Sequence, residues 1–139
     1  MMKTVMNPRV IYITQEDMNR LRPLIEGIKH SRDDLRGLQA ELERARVVTA
    51  TEVPPDVITM NSKARLRDLD TGEEMIFTVV FPGRASIEHD KISVVAPIGT
   101  AMLGHRVGDK FEWEVPAGSV RLQVEEVLYQ PEAAGDFHL

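Results

Sequence analysis

The stretch KFEWEVPAGSVRLQVEEVLY, residues 110–129, carries the pattern that decides the fold. From Lys110 to Val115 the residues alternate strictly, with Phe111, Trp113 and Val115 on one face and Lys110, Glu112 and Glu114 on the other. That period of two is the mark of a half-buried strand. Pro116-Ala117-Gly118 then reads as a hairpin turn. In the second half Val120, Leu122 and Val124 share one parity, whereas Val127 and Tyr129 have the other. A β-bulge at Glu125-Glu126 would let one strand keep both apolar sets against the core.

Upstream the same grammar continues. Lys63 to Leu69 alternates weakly and ends at the turn signal Asp70-Thr71-Gly72. Met75 to Phe81 is rich in β-branched and aromatic residues and is closed by Pro82-Gly83, and Lys91 to Val95 is a further short strand. Pro97 to Leu103 reads instead as a helical turn, opened by its proline and ended by Gly104. Thr49 to Thr59, with Pro54-Pro55 at its centre, has the composition of a linker.

Before that linker the period is helical. Thr14-Gln15-Glu16-Asp17 has the form of a capping box, and Met18, Leu21, Leu24, Ile25 and Ile28 follow as one apolar stripe interrupted by Pro23. Ser31-Arg32-Asp33-Asp34 repeats the capping signal, and Leu35, Leu38, Leu42 and Ala45 make a second stripe. Two such helices joined near Gly27 to Ser31 predict an antiparallel hairpin, coiled-coil-like. Its second helix, residues 32–46, spans only ~22 Å at 1.5 Å per residue. Asp33 and Asp34 fall near the tip, where acids complement the helix dipole or are presented to a metal or a partner. The expected organisation is a hairpin over 1–48, a linker over 49–59, a β domain over 60–130 and a polar tail over 131–139. The fold class is α+β.

Composition removes several function classes. With no cysteine there is no disulfide, thiolate metal site or cysteine nucleophile, and the four histidines show no ligand spacing. No nucleophile elbow or phosphate-binding glycine loop is present. The expectation is therefore a protein with no catalytic residues, no cofactor and no metal. The longest apolar run, Ile76 to Phe81, is far short of the ~20 residues that span a bilayer, and the N-terminus has no signal-peptide core. A cytoplasmic protein is expected. The formal charge of −5 is uneven: residues 14–46 balance, whereas 47–139 carry fifteen acids against eight bases. Without a basic stripe, direct sequence-specific binding of nucleic acid is not expected.

The run Lys91-Ile92-Ser93-Val94-Val95-Ala96-Pro97-Ile98-Gly99, continued through Met102-Leu103-Gly104-His105-Arg106-Val107-Gly108-Asp109, resembles the C-terminal, FKBP-like domain of the bacterial Gre transcript-cleavage factors. The short arm, Val57-Ile58-Thr59-Met60-Asn61-Ser62 and the ending Tyr129-Gln130-Pro131-Glu132 further resemble the Rnk branch of that family. The resemblance implies an FKBP-like antiparallel β domain with one short helix, and a protein that binds bacterial RNA polymerase at the rim of its secondary channel; a monomer is expected. It places the rim contact on Val95, Ala96, Pro97 and Ile98, with Ala96 where the family has a serine. Gre factors also present an Asp-x-x-Glu pair at the tip of a long coiled coil. Here the tip reads Asp33-Asp34-Leu35-Arg36, with Arg36 in place of the glutamate. A competitor of Gre factors without cleavage activity is the leading expectation. The alternatives are a cleavage factor using Asp33 and Asp34, and an FKBP-like protein-binding or prolyl isomerase module.

Overall fold

The computed structural model describes residues 11–28, 39–40, 42–115 and 118–136. The hairpin tip with Asp33 and Asp34 lies outside these residues, as do Pro116 and Ala117 of the predicted turn.

The chain opens with β1 (Tyr12–Thr14), which leads directly into α1 (Gln15–Ile28). Thr14 caps the helix as its position suggests: its Oγ1 accepts from the Asp17 backbone N–H at 3.2 Å. The helix runs on through Pro23. Met18, Leu21 and Ile25 are buried, as the three-and-four spacing requires. The second helix is described only at residues 39–40 and 42–43, which are helical. Leu42 is buried with the α1 stripe, and Gln39 Nε2 donates to Glu26. The chain then enters β2 (Arg46–Val48), which pairs in parallel with β1. Parallel neighbours need a long crossover, and the stretch between Thr14 and Arg46 is long enough to supply it. This two-stranded base is invisible in the sequence because three residues are too few to show a period.

Five further strands make one sheet: β3 (Lys63–Asp68), β4 (Glu74–Val80), β5 (Lys91–Ser93), β6 (Lys110–Val115) and β7 (Gly118–Tyr129), ordered β5-β4-β3-β7-β6. The expectation of an antiparallel β domain is corrected at one edge, where β5 runs parallel to β4. The physical cause is the loop 81–90, which turns the chain twice through short 3-10 segments before β5 starts. One short helix, α2 (Pro97–Met102), follows β5 and buries Ile98 and Met102 in the core of the sheet.

β7 holds the predicted bulge. Leu66 pairs with Val124 and Arg65 with Glu126, so Glu125 is the extra residue. A second shift follows, Ala64 pairing with Val127 and Lys63 with Tyr129. Val127 therefore reaches the core, but Tyr129 does not share its face: it sits opposite exposed Lys63 and its hydroxyl donates to Asp136. The outer face is laced with ion pairs, Arg65–Glu126 at 2.8 Å, Arg67–Glu74 at 2.8 Å and Arg67–Glu125 at 3.1 Å. Such exposed pairs contribute little energy each. They do penalise a one-residue slip, which would turn charges inward.

The stretch read as a linker is packed into the fold. Val53, Val57, Ile58 and Thr59 are buried, and Gln130 reaches back to them. Its Nε2 donates to the carbonyls of Pro54 (2.8 Å) and Val57 (2.7 Å), while its Oε1 caps α3 (Pro131–Ala134) by accepting from Ala133 N–H. Thr59 Oγ1 donates to Glu132 at 2.7 Å. The tail is thus docked through Asp136. Arm and sheet share one hydrophobic cluster from Ile11 to Val124, and Arg20 of α1 stacks 4.0 Å over the Phe81 ring.

Asp17 lies at this junction, 5% exposed, beside a cleft bordered by Val48, Thr49, Glu132 and Asp136. Burial raises its carboxyl to about 6, and Glu132 and Glu16 add to the rise while Arg20 and the Thr14 hydrogen bond oppose it. The folded chain therefore holds this proton more tightly than the unfolded chain, whose value is near 3.8. Stability from this group is highest below pH 3.8 and is lost as pH rises through about 6. Asp17→Asn should accordingly be more stable than the native chain at pH 7.5, by roughly 1–3 kcal/mol. The gap should close by pH 4 in urea unfolding; a gap that is constant with pH contradicts the assignment.

Candidate docking groove at the β5–α2 corner

The corner is built from backbone hydrogen bonds. Ser86 and Lys91 exchange two bonds of 2.9 Å, and Thr78 N–H donates to Asp90 C=O at 2.9 Å. Asp90 takes the left-handed conformation, φ 56°, that a short polar side chain tolerates. Ser86 Oγ and His89 Nδ1 lie 2.9 Å apart across the same turn. The loop is therefore a fixed jaw beside β5.

After β5 the chain turns at once into α2. Ala96 N–H donates to Ser93 C=O at 3.0 Å, and Thr100 Oγ1 donates to Val94 C=O at 2.6 Å. Pro97 occupies the first turn of the helix, where its missing N–H costs nothing. Gly99 faces the β5 backbone so closely that a Cβ would lie 2.1 Å from the Ser93 carbonyl oxygen. That approach sets the angle at which α2 presents Pro97.

Between jaw and helix runs an open groove of about 840 Å³. It is lined mainly by Ile87, Ile92, Ala96, Pro97, Ile98 and Trp113, with Glu88 and Lys91 at its polar margin. Of the four residues expected to touch a partner, Pro97 is exposed, Ala96 is half-buried and Ile98 is mostly covered, and all three line the groove. Val95 packs partly on the core and does not line it. Trp113 serves both core and groove, which an alternating strand pattern cannot distinguish. Ile87, 90% exposed, is the residue missed by sequence reasoning. Its only signal is an aliphatic residue set in a polar turn, a common occurrence on surfaces.

The groove can bury apolar side chains of a partner. Among the described residues no group of three or more His, Asp or Glu side chains is placed to hold a metal, and no helix is long and apolar enough to cross a membrane. His105, one of the four histidines without ligand spacing, is buried, stacked on Phe111 at 4.6 Å with its Nδ1 2.7 Å from the Ala101 carbonyl. It is part of the frame beneath α2.

The residues of this corner fall within a match to known proteins. The family described as "Transcription elongation factor, GreA/GreB, C-term" matches residues 53–129, which include every residue of the groove. The chain belongs to the GreA/GreB family. A second match, "Rnk N-terminus", covers residues 9–48, and assigns the chain to the Rnk branch. It is 48% identical over 103 residues to the regulator of nucleoside diphosphate kinase of Escherichia coli (strain K12), spanning 73% of this chain and 76% of that protein. Transcription elongation factor GreA of Trichlorobacter lovleyi is 34% identical over 93 residues, 67% of this chain but 59% of that factor. Among solved structures, the prokaryotic transcription elongation factor GreA/GreB from Nitrosomonas europaea aligns with a TM-score of 0.76 at 41% identity, over 86% of this chain and 98% of that one.

The close approach at Gly99 yields a test of the corner. Gly99→Ala should lower unfolding stability by roughly 2–3 kcal/mol, the cost of overpacking against backbone that cannot yield. Gly83→Ala, where a Cβ meets nothing within 4 Å, should change it by less than about 0.5 kcal/mol.

Proposed function

We propose that this protein is a regulator of transcription that binds RNA polymerase at the rim of the secondary channel and competes there with longer-armed Gre-type factors. The observation that carries the reading is the groove itself: within the family-matched region, Pro97 stands exposed at the lip of an apolar cleft on a rigid corner. Ala96 keeps the shape of the contact while lacking a hydroxyl to donate.

No transcript cleavage is proposed for it. The arm between Thr14 and Arg46 is short: its thirty-one residues, folded as two antiparallel helices, would extend no more than about 23 Å at 1.5 Å per residue. The tip sequence carries Arg36 where a second metal-binding acid is needed. A carboxylate acts on a magnesium ion only in contact, at ~2.0–2.1 Å, so a tip held short of the active site contributes nothing.

Titration of the native chain against core RNA polymerase carrying labelled GreA should displace the label, and Pro97→Asp should weaken displacement at least tenfold. Failure of the native chain to displace GreA at saturation contradicts the rim assignment. Added to a backtracked elongation complex, the protein should release no 3′ RNA fragment. Release that is abolished by changing Asp33 and Asp34 to Asn would instead establish the tip acids as functional.

A further inference from the structure

Ile87 is 90% exposed, more than any other large apolar residue described. A side chain so placed contributes almost nothing to folding. Yet the turn carrying it is held by four backbone hydrogen bonds of its own. Asp90 N–H donates back to Ile87 C=O and His89 N–H to Ser86 C=O, both at 3.2 Å, inside the two Ser86–Lys91 bonds already described. Fixing an apolar side chain in solvent on a preorganised turn removes the ordering cost that a flexible loop would meet on binding.

The neighbours give that side chain a direction. Ile87 shares one groove with Ala96, Pro97 and Ile98, so an apolar group entering it is held between the jaw and the helix. Charge restricts what flanks that group. Residues 47–139 carry seven more acids than bases, and four of the eight bases, Arg65, Arg67, Arg106 and Arg121, are ion-paired with acids of the same region. Glu88, adjacent to Ile87 on the groove margin, has no ion pair among the described residues, while Lys91 marks the β5 side.

We infer that Ile87 is the anchor of the docking groove, and that Glu88 beside it pairs with a basic flank on the polymerase element that packs between Ile87 and Pro97. The inference rests on the polymerase reading above. The partner element is an amphipathic segment with an aliphatic or aromatic ridge and Lys or Arg next to it. Apolar anchors supply affinity at such sites, and rim charges supply salt-sensitive steering.

The test is equilibrium binding of full-length protein to core RNA polymerase, with four variants beside the native chain. Ile87→Ser should lose about tenfold or more in affinity with its unfolding midpoint unchanged, and Ile87→Leu should stay within about threefold of native. Glu88→Lys should weaken binding and flatten its salt dependence. Pro97→Asp serves as the reference for the groove as a whole. Binding by Ile87→Ser within about twofold of native, with Pro97→Asp impaired, overturns the anchor and leaves the polymerase reading standing. An unchanged salt dependence in Glu88→Lys overturns the charge pairing. No binding by the native chain overturns the polymerase reading itself, and the inference with it.

Discussion

A single strand of twelve residues cannot hold Leu122, Val124 and Val127 against one core unless its ladder gives up a residue, and β7 does so at Glu125. The strand lies between β3 and β6; its two irregularities set the register against β3, while β6 pairs without a break with the regular stretch Gly118–Gln123. Ala64 and Leu66 of β3 are fully buried because Val127 and Val124 face them across the bulge. The displaced Glu125 is not wasted, since it meets Arg67 at 3.1 Å on the outer face. A bulge bends its strand and increases the local twist, and the rest of the domain is arranged on that bent surface.

The groove follows from the far edge of the same sheet. β5 adds in parallel to β4, which obliges the loop 81–90 to carry the chain back along the edge. The jaw with Ile87 and the corner with Pro97 are therefore two consequences of one crossover. Gly99 completes the geometry by letting the α2 backbone lie against Ser93. Rigidity on both walls suits a surface that recognises a partner by shape.

The arm is joined to this frame by contacts that are individually small and chemically different. Arg20 lies over Phe81, which itself begins the jaw loop, and Asp17 shares the tail cleft with Glu132. Gln130 satisfies two carbonyls of the segment before β3 and caps α3 at the same time. Buried polar groups of this kind stabilise by being fully paired, and losing one partner leaves the others unsatisfied. Arm, linker and tail are thus each tied to the sheet at their point of junction.

Alternation in residues 110–115 and the parity change at Glu125-Glu126 were enough, by themselves, to determine the strands, the bulge and the inward placing of Phe111, Trp113, Val120, Leu122, Val124 and Val127, because pleat and burial are local constraints. The Thr14 cap and the 18-21-25 stripe determined α1 for the same reason. Pro97 opening a helical turn was legible from its fixed φ. What tertiary structure alone decided lies where distant residues meet. The parallel direction of β5, the pairing of β1 with β2, the second shift that turns Tyr129 away, and the docking of Gln130 on Pro54 and Val57 leave no periodic trace. The groove belongs to this second class, since Ile87, Pro97 and Trp113 come from three separate segments and share a surface only after the sheet has formed.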